Sequence, residues 1–170
     1  MLQSKLKELY VDELKDIYSA ETQLVKALPK MAKAAVSAEL RNGFQEHLTQ
    51  TEGQVARLEQ IFDRLGEKPA GKKCEGMAGL IKEGGEAAEE DYEGEVKDSA
   101  LIGAAQRVEH YEIAAYGTVR AMAEKLGDEK AVQLLTQTLQ EEKDTDLKLS
   151  KLSDKMKVEA DQVKAFAAKR

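Results

Sequence analysis

Four stretches of this chain repeat their apolar residues every three or four positions over many turns, and the gaps between them are unequal. The repeat predicts amphipathic helices. The first runs from about Ser4 to Val36, with Leu6, Leu9, Leu14, Ile17, Leu24, Leu28 and Met31 on one stripe. Pro29 lies inside it, removes a backbone donor and is expected to kink it. The second runs from about Ala38 to Leu65, with Leu40, Phe44, Leu48, Val55, Leu58 and Phe62 inward and Gly66 as its stop. The third covers about Asp98 to Leu126 and ends at Gly127. Asp128 caps the fourth, which extends to Met156 with Val132, Leu135, Leu139, Leu149 and Leu152 inward. A shorter fifth helix is expected over residues 160–168. Residues 1–156 thus read as a helical bundle and 157–170 as a helical tail.

The unequal gaps set the topology. The first and second helices are joined by a few residues, as are the third and fourth, and short links make antiparallel neighbours. The interval from Glu67 to Lys97 is long enough to travel the length of a bundle. Two hairpins joined by one long crossover is the ferritin-like arrangement, so the expected fold is an all-α, ferritin-like four-helix bundle. Composition agrees: Trp is absent, Pro occurs twice, and good helix formers dominate. The crossover starts with Met77, Leu80 and Ile81, which predict a short helix lying across the bundle, weakened or bent at Gly84 and Gly85. Acids crowd the stretch from Glu86 to Glu95, and such a run reads as a solvated face.

The inner stripes carry residues that a core does not favour. Glu21 takes a core step between Ile17 and Leu24. His47 and Thr51 take core steps between Phe44 and Val55. Glu109 and Glu112 fall on the same side as Ala105, Val108, Ala115 and Val119. Glu142 and Asp146 fall between Leu139 and Leu149. Every long helix therefore turns an ionisable group inward. Overlaying Glu21 on Glu112 and His47 on Glu142 aligns the two hairpins, so these positions are expected to meet near mid-bundle.

Several carboxylates in a low-dielectric core cost several kcal/mol per ion unless something compensates. Their mutual repulsion drives some of them to protonate. Two devices can rescue such a cluster: a network of buried cations and protonated carboxyls, or a metal cation, for which carboxylate and imidazole are ordinary ligands. Arg107, Arg120, Lys26 and Lys143 sit off the inner stripe, and no basic residue is expected on it near the acids. That favours metal, with Glu21, His47, Glu109, Glu112, Glu142 and Asp146 as the candidate ligands. Tyr18 and Tyr116, one turn from Glu21 and Glu112, are placed to hydrogen-bond the carboxylates. Thr51 and Gln54 are candidate supporting donors. His110 points about 100° away from Glu109 and reads as a surface residue. Gly103 and Gly117 read as points of close helix approach, within the chain or in a dimer.

These stretches resemble the YciE/YciF-type bacterial proteins, a ferritin-like family associated with stress responses. The matching segments are IYSAETQLVKALPKMA, FQEHLTQTEGQ, CEGMAGLIKEG, ALIGAAQRVEHYEIAAYGT and LGDEKAVQLLTQTLQEEKDTDLKL. The resemblance implies a ferritin-like bundle with an added helix, commonly a homodimer. The wider superfamily implies a dinuclear iron or manganese site with one Glu from each of two helices and a Glu-x-x-His pair from each of the others. Glu21 and Glu112 fit the single-Glu positions. The second and fourth helices depart from the pattern, offering His47 with Thr51 and Glu142 with Asp146, and Glu109 is expected to make up a missing ligand.

The formal charge of −6 leaves no concentrated basic face of the kind nucleic acid requires. The N-terminal segment alternates charge with apolar residues, unlike a secretory leader, and no run approaches transmembrane length. A cytoplasmic protein is expected, with no nucleic-acid or membrane partner. Its single cysteine, Cys74, excludes an intrachain disulfide and reads as a half-buried small apolar residue. Two functions remain open: an iron or manganese protein acting on oxygen or peroxide, and a metal-free stress or interaction protein whose inner acids are protonated and acting as a dimer.

Overall fold

The computed structural model describes residues 2–156, which form five α-helices and no strand. They are α1 (Leu2–Ala34), α2 (Ala38–Leu65), α3 (Glu75–Glu89), α4 (Gly94–Leu126) and α5 (Glu129–Lys155). The helix expected over 160–168 and the tail at 157–170 lie outside the described residues.

The helix ends follow local chemistry. Ser37 starts α2 by accepting from Leu40 N at 3.3 Å. Gly66 closes it at φ 67°, the left-handed conformation that glycine adopts without strain. Gly127 ends α4 likewise, and Asp128 caps α5 by accepting from Ala131 N at 3.1 Å. Two expectations change. α1 continues through Pro29 without interruption, and Leu9 is 46% exposed while Tyr10 and Val11 are buried. The stripe read backward from Leu14 lands on Tyr10, one turn away, and leaves Leu9 out of phase.

α4 starts four residues earlier than its apolar pattern shows. The reason lies in Lys97 and Asp98, both buried. The Lys97 ammonium donates to Ala88 O at 2.7 Å and Glu90 O at 2.5 Å, satisfying carbonyls at the end of α3. The Asp98 carboxylate accepts from Val36 N at 2.7 Å and Ser37 N at 2.8 Å, holding the turn into α2.

Those contacts also give the directions. Asp98 places the start of α4 at the α1–α2 turn. Lys155 with Glu39 and Arg64 with Asp128 mark the two ends of an antiparallel α2–α5 pair. α2 and α4 therefore run parallel, and the chain must return along the bundle between them. α3 makes that return, packed against α1 and α4 rather than crossing over the end. It is unbroken at Gly84 and Gly85. Gly84 is buried where an added Cβ would meet Met31 at 3.7 Å and Ala104 at 3.9 Å. The acidic stretch from Glu86 to Glu95 is exposed at every acid.

The core falls into two apolar clusters. One gathers Leu24, Leu28, Phe44, Leu101, Val108 and Leu149. The other gathers Tyr10, Leu14, Ile61, Phe62, Tyr116 and Leu135. Along every long helix the residues between the clusters are buried and polar: Glu21, then His47, Thr51 and Gln54, then Glu109 and Glu112, then Thr138, Glu142 and Thr145. A polar layer thus divides the bundle at mid-height.

Candidate metal centre

Helical phase delivers the layer. Glu21 sits four residues after Ile17 and three before Leu24, so packing those two neighbours obliges Glu21 to point inward. The same logic holds His47 behind Phe44, Glu112 behind Val108 and Glu142 behind Thr138. His47, Glu109, Glu112 and Glu142 each present a donor atom, and these four atoms lie within 4.8 Å of one another. Glu21 is buried beside them, its Oε1 accepting from the Tyr116 hydroxyl.

The unused valences are what make the cluster unusual. Both oxygens of Glu112, both ring nitrogens of His47, and Oε2 of Glu21, Glu109 and Glu142 are buried without a hydrogen-bond partner. His47 Nε2 comes within 3.2 Å of Glu109 Oε1, but not in hydrogen-bonding geometry. Buried polar groups are ordinarily satisfied, and each orphan costs about 1–3 kcal/mol. The carboxyls of Glu21, Glu109 and Glu112 are held well above the ordinary range, first by burial. The charge of Glu142 follows for Glu21 and Glu109, that of Glu21 for Glu112. Burial, then the charge of Glu21, likewise pushes the Tyr116 hydroxyl up.

This donor set fits a cation. For nitrogen and oxygen ligands about 2.0–2.2 Å from a small divalent ion, opposite donors lie about 4.0–4.4 Å apart. The four donor atoms, all within 4.8 Å of one another, are spaced on that scale. One imidazole and several carboxylates suit iron or manganese, and the orphaned atoms are those an ion would engage.

The surrounding residues hold the donors in place. Gln54 donates to Glu142, and also to Glu141 at 3.2 Å. Thr51 donates to His47 O at 2.9 Å, within its own helix. Tyr18 donates to the exposed Glu59 at 3.0 Å, away from the cluster. Asp146, read as a ligand from its spacing, instead accepts from Gln106 at 3.1 Å and lies 3.3 Å from the exposed His110. Thr145, three residues after Glu142, takes the buried position instead, which leaves Asp146 at the α4–α5 seam. Gly103 and Gly117 have no neighbour within 4 Å of an added Cβ, so neither marks a close approach within the chain.

A basic residue does reach the layer's edge, contrary to expectation. Arg57 donates to Thr138 at 2.9 Å and pairs with Glu141, and its charge acts weakly to ease ionisation of Glu21. Its position three residues after Gln54 was the available signal. Cys74 is fully buried rather than half-buried, and starts α3 by accepting from Met77 N. Its sulfur lies 2.9 Å from the Tyr111 hydroxyl, which donates to Asp16 at 3.0 Å. Burial pushes the Cys74 thiol up, and that is a structural setting rather than a reactive one.

Comparison with known proteins agrees with the architecture. The chain is 46% identical to Protein YciF of Escherichia coli over 149 residues, covering 87% of this chain and 90% of that one. The crystal structure of that E. coli stress protein superimposes with a TM-score of 0.85, over 87% of this chain and 94% of that one. YcfI of Rhodopseudomonas palustris is 44% identical, with a TM-score of 0.83, over 90% of this chain and 95% of that one. A Xanthomonas campestris protein at 20% identity shares the fold, with a TM-score of 0.71 over 96% of this chain and 97% of that one. No helix among the described residues is long and apolar enough to cross a membrane. Residues 5–162 match the family described as a domain of unknown function, DUF892, and with the YciF likeness spanning most of its length the chain belongs to that family.

Proposed function

We propose that this protein is a stress-associated metal protein that binds iron or manganese in its polar layer. His47, Glu109, Glu112 and Glu142 are the ligands and Glu21 is a fifth carboxylate alongside. The observation that carries this reading is the set of unpartnered buried atoms converging within 4.8 Å. Ionised carboxylates without partners are costly in a core, and a cation is the one group that satisfies all of them together. A bound redox-active ion would supply electron transfer to or from oxygen or peroxide.

The chain's own residues prepare the site. Tyr116 fixes one oxygen of Glu21 and Gln54 fixes one of Glu142, leaving each carboxylate a free oxygen aimed inward. The four ligands and Glu21 are each 3% exposed or less, and burial strengthens every charge interaction within the layer. The association with stress rests on the name given to the E. coli relative. We also propose that two copies pair, since Gly103 and Gly117 leave open space beside α4 where another helix can approach. Light scattering on the purified protein tests this.

The deciding experiment is reconstitution with ferrous or manganous ion, removal of loose metal, and elemental analysis. At least one equivalent held per chain is expected. Retention of only a trace overturns the reading. It would favour the second one, in which Glu21, Glu109 and Glu112 are protonated, as their raised pKa values permit.

A further inference from the structure

The half of the bundle that holds the first apolar cluster also holds a cavity of about 200 Å³. Its walls come from all five helices and are overwhelmingly apolar, with Leu28, Met31, Phe44, Ile81, Ala104 and Val108 prominent. His47 and Glu109 of the polar layer also line it, and both are buried. Lys26, Lys30, Glu46 and Lys148 line it too and are exposed, so the space connects the surface with the proposed ligands. At this rim Lys30 is paired with Glu89 and Lys148 with Glu46. Those pairs occupy two of the three lysines and leave the apolar walls as the dominant recognition surface.

Two physical points fix what such a space takes. Well-packed cores contain few voids larger than a water molecule, and this space runs inward from an exposed rim to the buried His47 and Glu109. A leucine-, isoleucine- and phenylalanine-lined cavity of about 150 Å³ stays dry and binds benzene. This one is of similar size and its walls are likewise apolar, but it opens to the surface at its charged rim, so a ligand can enter from solvent.

We propose that the cavity is a binding site for a small, uncharged, hydrocarbon-like molecule, an aromatic ring or alkyl chain of about six to eight carbons. Its inner end rests against His47 and Glu109. Hydrocarbon binding stands on the cavity alone. That the bound molecule is the substrate class of the centre rests on the proposed function. α3 has a defined part in this, since Leu80, Ile81 and Gly84 close one wall. The crossover helix is then a component of the site as well as a connection.

The test is titration of the full-length protein with toluene, followed by calorimetry and by methyl NMR. It is run on both metal-loaded and chelator-treated protein. Saturable binding is expected in both, with contacts from the toluene ring to the methyls of Leu28, Met31 and Val108. Ala104→Leu, which fills the space, is expected to weaken binding at least tenfold while leaving metal content unchanged. Gly84→Ala adds one methyl at ordinary contact distance from Met31 and serves as the milder variant should Ala104→Leu not fold. Absence of saturable binding to wild-type protein overturns the proposal, as does equal affinity in a folded cavity-filled variant. Binding to chelator-treated protein that holds no metal under any condition would leave the cavity inference standing and remove only the link to the centre.

Discussion

His47 Nε2 and Glu109 Oε1 lie 3.2 Å apart in the interior, yet they share no hydrogen bond. Two polar atoms held that close without bonding each other are free to engage a shared third group. Glu112 and Glu142 each place an oxygen within 4.8 Å of donor atoms on both residues.

Replacing Glu112 by Gln keeps the side-chain volume and removes the negative charge. Metal affinity is expected to fall at least 100-fold, beyond the 10–100-fold typical of supporting residues. Isothermal titration with manganous ion measures it. Unchanged affinity would remove Glu112 from the ligand set.

Tyr116→Phe deletes the hydroxyl that donates to Glu21 while keeping the ring packed in the second core cluster. The expected effect is a loss of about 10–100-fold in metal affinity with little change in fold. Matched titration and circular dichroism separate the two.

Chelator-treated protein should lose stability as pH rises. The carboxyls of Glu21, Glu109 and Glu112 have folded-state pKa values raised by burial, so the folded protein holds more protons than the unfolded one. Stability then falls with pH, starting near the unfolded carboxyl value of about 4.3 and continuing through the raised folded values. Melting temperature by calorimetry between about pH 5 and pH 8 should decline without metal and stay nearly level with it. Glu112→Leu in chelator should add about 1–3 kcal/mol, because it removes two buried oxygens that lack partners.

Asp98→Ala tests the scaffold rather than the site. It orphans the backbone N–H groups of Val36 and Ser37 where α1 turns into α2. A loss of about 3 kcal/mol is expected from two charge-assisted bonds, measured by urea unfolding. Metal stoichiometry of the protein that remains folded should not change.

The long helices, both short hairpins and the crossover were legible because burying one stripe of an amphipathic helix is a local requirement, written at a local period. Glu21, His47, Glu112 and Glu142 were legible for the same reason, being polar residues in apolar phase. The early start of α4 was not, since Lys97 and Asp98 are buried by partners in α3 and at the α1–α2 turn. The inward acids and histidine are therefore a property of the sequence: their phase along each helix forces them toward whatever core forms. Only the tertiary structure decided which of them meet. It rotated Asp146 to a seam with Gln106, brought Arg57 to Glu141, and opened a cavity beside His47. Rotation about a helix axis and the relative height of neighbouring helices are set by packing between distant segments, and no residue encodes them alone.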